Sequence, residues 1–341
     1  MNRHLSFRFL TLVVGSFLLC TAMPAHAISF GNKDKIKVMN GAPFKDSNKF
    51  AIGAFRVTFI TEDEVVSVGK GSWVTGGSSS SAAISGSLDG LDHATMQKIA
   101  DQVYAEFLKQ GTAKGLTFLD SQQLAQASAR YKAMATTTNY EEGRLGTVVI
   151  PTGQQSVPLS EDHSEKANKG SKGMFAMYKN MGAADFATAE ANKTFPEIAK
   201  ELGVSVIGVT IVVNFADFKG GDGSFGHSKV SLALGATVEG SLKTELLRST
   251  SIMGWSGKTA TCPNCMGQML LEGTVHSSEP IGTSDVSKSH KSLYGGLAGG
   301  PSTSTSKKGT VTYVDLPAYE KNVMAVATEA TGMMIDELGA K

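Results

Sequence analysis

The chain has 341 residues, 41% hydrophobic and 18% charged, with 32 Lys plus Arg against 31 Asp plus Glu. So even a balance argues against an electrostatic nucleic-acid binder, which needs a clustered basic surface. With 38 Gly and 2 Trp, the composition suits strands, turns and loops more than a long helical bundle.

The N-terminus carries Arg3 and Arg8, then an apolar run from Phe9 to Cys20, then Pro24 and the small-x-small triplet Ala25-His26-Ala27. A cationic start, an apolar stretch and small residues before a cut are the three parts of a secretory signal peptide. The apolar run is shorter than the roughly 20 residues of a membrane-spanning helix. Cleavage is expected between Ala27 and Ile28, removing residues 1–27. Lipoprotein signals place Gly, Ala or Ser before the lipidated Cys, whereas Leu19 precedes Cys20, so no lipid is expected there. Loss of Arg3 and Arg8 leaves 30 cations against 31 anions on 314 residues, enough for one large domain or two ordinary ones. No second long apolar run follows, so the product is expected to be soluble, or to insert only through β-hairpins or by oligomerising. The expected location is the periplasm or the exterior, with outer-membrane association possible.

Residues 28–48 read as an extended polar leader and 49–341 as one α/β domain. Flexible insertions are expected at 69–90, 135–175 and 277–309, where Gly, Ser or irregular sequence dominates. Residues 50–60 are β-branched and aromatic, a strand. A polar turn at Thr61–Glu64 precedes a second short strand, Val65–Val68. Asp92 caps a helix whose apolar face is Met96, Ile99, Ala100, Val103, Tyr104, Phe107 and Leu108; Gly111 ends it. A short strand, Leu116–Leu119, leads into a helix from Asp120 through Leu124, Ala127 and Tyr131. Val148–Ile150 reads as a short strand. A helix over 183–202 carries Phe186, Ala189 and Ile198, with Pro196 as a kink or break.

From Val204 the pattern turns to strands. Val204–Phe218 is one long run, and residues 230–238 alternate with period two, as a half-buried antiparallel strand does. Two more strands fall within 243–261 and 267–276, and a last one at Thr310–Val314. The closing helix buries Tyr319, Val323, Ala327, Ala330, Met334 and Leu338. The fold class expected is α/β (α+β): helices packed on a mixed sheet, with an antiparallel strand-rich C-terminal half.

Several short motifs fail on context. Gly221–Gly226 matches G-x-G-x-x-G after a strand, but a dinucleotide site needs a helix next; here an alternating strand follows, so the glycines turn a hairpin. Cys262-Pro263-Asn264-Cys265 admits three readings: a disulfide stapling a hairpin tip, the default in an oxidising compartment; redox or regulatory thiols; or a metal pair, with His276 the one other ligand near in sequence. Met266 follows the second Cys, where haem attachment needs His. Ser304-x-x-Lys307 falls in low-complexity sequence with no helix to hold the pair. His93, His163, His227, His276 and His290 are scattered, and Glu62, Asp63, Glu64, Glu141 and Glu142 read as acidic turns before they read as a catalytic carboxylate pair. No catalytic, cofactor-binding or metal-ligating residue is assigned.

Taken in order, the elements resemble the periplasmic α/β fold of the curli secretion channel CsgG and of the TolB N-terminal domain. Two stretches carry the likeness. One is the strand Ile52–Ile60, the helix Asp92–Gln110, then Gly115–Asp120 and the helix with Gln122, Gln123 and Leu124. The other is the strand pair around Gly220–Gly226 with the closing helix at 317–338. The resemblance spans about half of the chain by pattern and transfers no site. It implies an envelope protein acting in secretion or surface assembly. Three functions are therefore expected in order: a non-enzymatic exported envelope protein that contacts envelope partners or further copies of itself; an extracytoplasmic binding protein for a small molecule or glycan; and a secreted hydrolase with an unrecognised carboxylate pair.

Overall fold

The computed structural model describes residues 28–30, 36–69, 80–135, 140–142, 146–157, 191–221, 229–238, 250–261, 266–277, 279–293 and 302–339. It is an α/β fold with a mixed 11-stranded sheet and a second sheet of four strands.

The spine of the large sheet is β9 (Ser205–Gly221), 17 residues long. β3 (Lys49–Ile60) pairs with it in parallel, from Phe50 opposite Ser205 to Phe59 opposite Val213. The far edge of β9 is shared. β11 (Ser251–Trp255) pairs antiparallel with residues 206–210, and β10 (Lys229–Val238) with residues 213–221. Val213 has one partner in β3 and another in β10, which puts β10 on the same side as β11.

The next rows repeat this division. β12 (Gly267–Leu271) and β13 (Val275–Ser277) are two halves of one course, the first against β11 and the second against β10. β1 (Ile28–Phe30) and β2 (Ile36–Met39) form the outermost row. Ile28 lies opposite Ser277 and Met39 opposite Gln268. The stretch expected to be a polar leader thus supplies an edge strand. Its residues find partners some 240 positions downstream, which local composition cannot announce. Beyond β3 the sheet continues with β6 (Thr117–Leu119), β8 (Gly146–Val149) and β7 (Tyr140–Glu142).

The faces of β3 exchange roles at Gly53. Register slips by one residue between Ile52 and Ala54, which is a β-bulge. Phe50 and Ile52 face one layer before the bulge; Phe55, Val57 and Phe59 face the same layer after it. That layer is α1 (Ala42–Lys45), α2 (His93–Ala113) and the closing helix, α6 (Leu316–Glu337). The opposite face packs Ala51, Ala54, Val206, Met253 and Trp255 against α3 (Ser121–Ala127), α4 (Ala129–Met134) and α5, over residues 191–202. The Tyr131 hydroxyl donates to the Gly53 carbonyl at 2.6 Å and so satisfies the bulge. Phe195 lies against Trp255 with ring centroids 4.7 Å apart. Fully burying one such side chain contributes about 1.5–3 kcal/mol.

Local signals explain most helix ends. Asp92 accepts from the Thr95 N–H at 2.7 Å. Asp120 and Gln123 form a reciprocal capping box. The helix expected from Asp120 through Tyr131 is two helices, because Ser128 ends α3 and caps α4. Of the helix expected over 183–202 with a kink or break at Pro196, residues 191–202 form α5, which Pro196 does not break, and 183–190 lie outside the described residues. The α2 face named from periodicity is buried at Met96, Ile99, Ala100, Val103 and Phe107, and half-buried at Tyr104 and Leu108.

Candidate interaction surface

The second sheet has the strand order β14-β15-β5-β4. It is made of two long hairpins: β4 (Glu62–Gly69) with β5 (Ser80–Leu88), and β14 (Gly282–Leu293) with β15 (Ser302–Val314). β5 and β15 join them in parallel, from Ser80 opposite Thr303 to Leu88 opposite Val311. This corrects the expectation of flexible insertions: residues 80–88, 282–293 and 302–309 are paired strands. Their Ser, Thr, Gly and Lys give no apolar period, so composition reads as loop. The turn expected at Thr61–Glu64 shrinks likewise, since β4 already begins at Glu62. Short strands also fall inside 135–175, at β7 and β8.

The hairpin bases are fixed in the core. The Leu88 N–H donates to the Thr61 carbonyl at 2.8 Å, and the Asp315 N–H to the Ile281 carbonyl at 3.0 Å. Leu88, Ile281 and Val314 belong to the main hydrophobic cluster. The outer strands, β4 and β14, each have a ladder on one side only among the described residues. A strand with an unpaired row of N–H and C=O groups is a template for another chain.

Charge is divided between the hairpins. β4 opens with Glu62-Asp63-Glu64, while the other hairpin carries Lys288, Lys291, Lys307 and Lys308. Lys288 and Lys307 are register partners and share a face. Lys291 and Lys308 fall on the other, because positions alternate along a strand.

Among the described residues, a groove lies on the helical layer at each face of the large sheet. One, of ≈ 640 Å³, lies between α2 and α6 and is lined by residues including Gln102, Glu106, Lys109, Glu320 and Met324. The Lys98 ammonium at 2.8 Å and the Gln102 amide at 3.0 Å donate to Glu320, and these bonds hold its carboxyl below the usual range. The second groove, of ≈ 610 Å³, lies by α3 and α4. Burial pushes the phenols of Tyr104, Tyr131 and Tyr319 well above the usual tyrosine range.

Of the residues singled out from sequence, His93 opens α2 and His276 is half-buried in β13. His290 falls in β14, and His163 and His227 lie outside the described residues. Ser304 and Lys307 sit three apart on β15, hence on opposite faces. Glu62–Glu64 and Glu141–Glu142 lie in different sheets, in β4 and β7. Gly221 ends β9, and the next described element is the antiparallel β10 rather than a helix. Cys262 and Cys265 lie outside the described residues, between the antiparallel partners β11 and β12; Ala27 also lies outside them, and Ile28 opens β1. Among the described residues no group of three or more His, Cys, Asp or Glu could hold a metal ion, and no helix is long and apolar enough to cross a membrane. Sequence reasoning missed the hairpin sheet, the edge strand and the α3–α4 groove; the glutamines at 122, 123, 126, 154 and 155 were its one signal for the groove.

In comparisons with known proteins, no family model, no curated protein and no solved structure matches the chain.

Proposed function

We propose that the protein is an exported, non-enzymatic envelope component that acts in secretion or surface assembly through contacts with envelope proteins or with further copies of itself. The observation that carries this reading is the four-stranded hairpin sheet, rooted in the core, whose outer strands each pair on one side only among the described residues. A sheet kept in this state presents main-chain donors and acceptors to a partner strand. Acidic residues at the start of β4 and lysines on the β14 hairpin give the two outer strands different charge, so edges of two copies attract more readily than they repel. Secretion or assembly is the role implied by the likeness in element order to CsgG and the TolB N-terminal domain. Export accords with the three-part N-terminal pattern. Ile28 is the first residue of β1, so a cut after Ala27 leaves the edge strand whole.

The test is size-exclusion chromatography with light scattering on Ile28–Lys341, in buffer and in detergent. A species larger than the monomer is expected. Replacing residues 283–312 by a short Gly-Ser turn should abolish it and leave the far-UV spectrum of the remaining strands and helices. A strictly monomeric protein with saturable turnover of an ester, glycoside or peptide, lost on one carboxylate or Ser change, would overturn the proposal.

A further inference from the structure

The outermost row of the large sheet begins at the residue that processing is expected to expose. Ile28, Ser29 and Phe30 form β1 and lie opposite Ser277, His276 and Val275 of β13. β13 is a fixed platform. On its other edge Thr237 and Val238 of β10 lie opposite His276 and Val275. Val275 and Ser277 are buried, and the Ser277 hydroxyl donates to Asn322 Oδ1 of α6 at 2.8 Å. The same hydroxyl accepts from the Glu279 N–H at 3.2 Å. The chain is held again beyond β1. Residues 36–39 of β2 lie opposite 268–271 of β12, and Ile36 and Val38 pack against the main hydrophobic cluster. β1 therefore leaves the sheet only by peeling from its N-terminal end.

A protease takes its substrate as an extended strand, with main-chain bonds to the enzyme and alternate side chains in pockets. In the small-x-small pattern those side chains are Ala25 and Ala27. Water adds to the Ala27 carbonyl, the bond to the Ile28 nitrogen breaks, and Ala27 ends as a carboxylate and Ile28 as an amine. The scissile bond thus ends at the first paired residue of β1, with no spacer between the cut and the sheet. While β1 is docked, the body of the sheet stands in the way of an enzyme cleft. Bonds held in this way are cut through the locally opened state.

We propose that docking of β1 on β13 and the cut after Ala27 exclude one another, so that the signal is removed before the outer row closes. This order rests on export as proposed for the chain. A chain that closes the row first keeps its leading apolar run and is processed only as fast as β1 peels away.

The test uses the full Met1–Lys341 chain and a purified signal peptidase in detergent, with products read by intact mass. The peptidase is added either as the chain is diluted from urea or after the chain has refolded. Cleavage of the refolded chain is expected to be about 10-fold slower, the penalty of opening a short edge strand. A second chain carries Ile-Ser-Gly-Ser-Gly-Ser inserted between Ala27 and Ile28. The insert keeps Ile and Ser after the cut, leaves the core untouched and moves β1 clear of the enzyme. This chain should be cut at the same rate in both orders of addition. Equal rates for the unaltered chain, or a refolded spacer chain cut as slowly as the unaltered one, would overturn the proposal and leave export standing. No product of the Ile28–Lys341 mass in either order would overturn both.

Discussion

Phe44 shows how one side chain joins distant parts. Its ring lies over Gly254 and Gly267, which are register partners on β11 and β12. Its carbonyl accepts from the Gly339 N–H at 2.8 Å, fastening the end of α6. A Cβ at Gly254 would collide with that ring. Gly254→Ala should therefore destabilise the protein by about 1–3 kcal/mol in urea unfolding; an unchanged midpoint would mean that the ring moves aside freely. Tyr131→Phe keeps the ring beside Phe195 and leaves the Gly53 carbonyl unpaired, at a cost of about 1–3 kcal/mol. Buried Tyr131 and Tyr319 and half-buried Tyr104 also set the response to alkali. A phenol whose folded pKa is raised contributes stability that is full below the unfolded value near 10 and is lost as pH rises above it. Thermal unfolding midpoints should thus be flat through neutral pH and fall above about pH 10, with a shallower fall in Tyr319→Phe. At this scale the sequence was informative where apolar residues keep a period. It was silent at Gly53, because a bulge exists only relative to a partner strand.

Among elements, the helices were legible, while of the hairpins only Val65–Val68 in β4 and Thr310–Val314 in β15 were. Met96 to Phe107 and Tyr319 to Met334 repeat every three or four residues, so each buried face follows from spacing. Asp120 with Gln123 announces a helix start, and Asp120→Ala should cost about 1 kcal/mol in the same unfolding assay. Strands β5, β14 and β15 have no such period. Their Ser and Thr positions pair through backbone groups common to every residue, so pairing depended on which strands lay alongside. The same holds for residues 28–39, polar in composition and yet an edge of the large sheet. Removing them uncovers β12 and β13. The expected outcome is concentration-dependent aggregation of a 40–341 chain by light scattering; a stable, monodisperse product would show that this edge needs no cover.

Over the whole molecule, protection should grade from the spine outward. Residues 205–215 of β9 are buried throughout, whereas the β14 edge has one ladder. Native-state hydrogen exchange should find the slowest amides in 205–215 and faster ones in 282–293; the reverse order would mean that the hairpin sheet is the more stable unit. The α3–α4 groove is the part least visible from sequence. It needs residues 101, 121, 132 and 155 brought together from three segments, and only a run of glutamines hinted at it. The edge row has a consequence in time. Ile28 meets Ser277, β3 meets β9, and Thr331 bonds Gln110 across 221 positions. Few of these contacts are local, and folds of high contact order close slowly. In a chain that passes N-terminus first through a narrow conduit, the leading segment has no partner until the last third emerges. If the chain is exported as proposed, such a topology would leave the leading segment unpaired in transit and let it pair only on arrival.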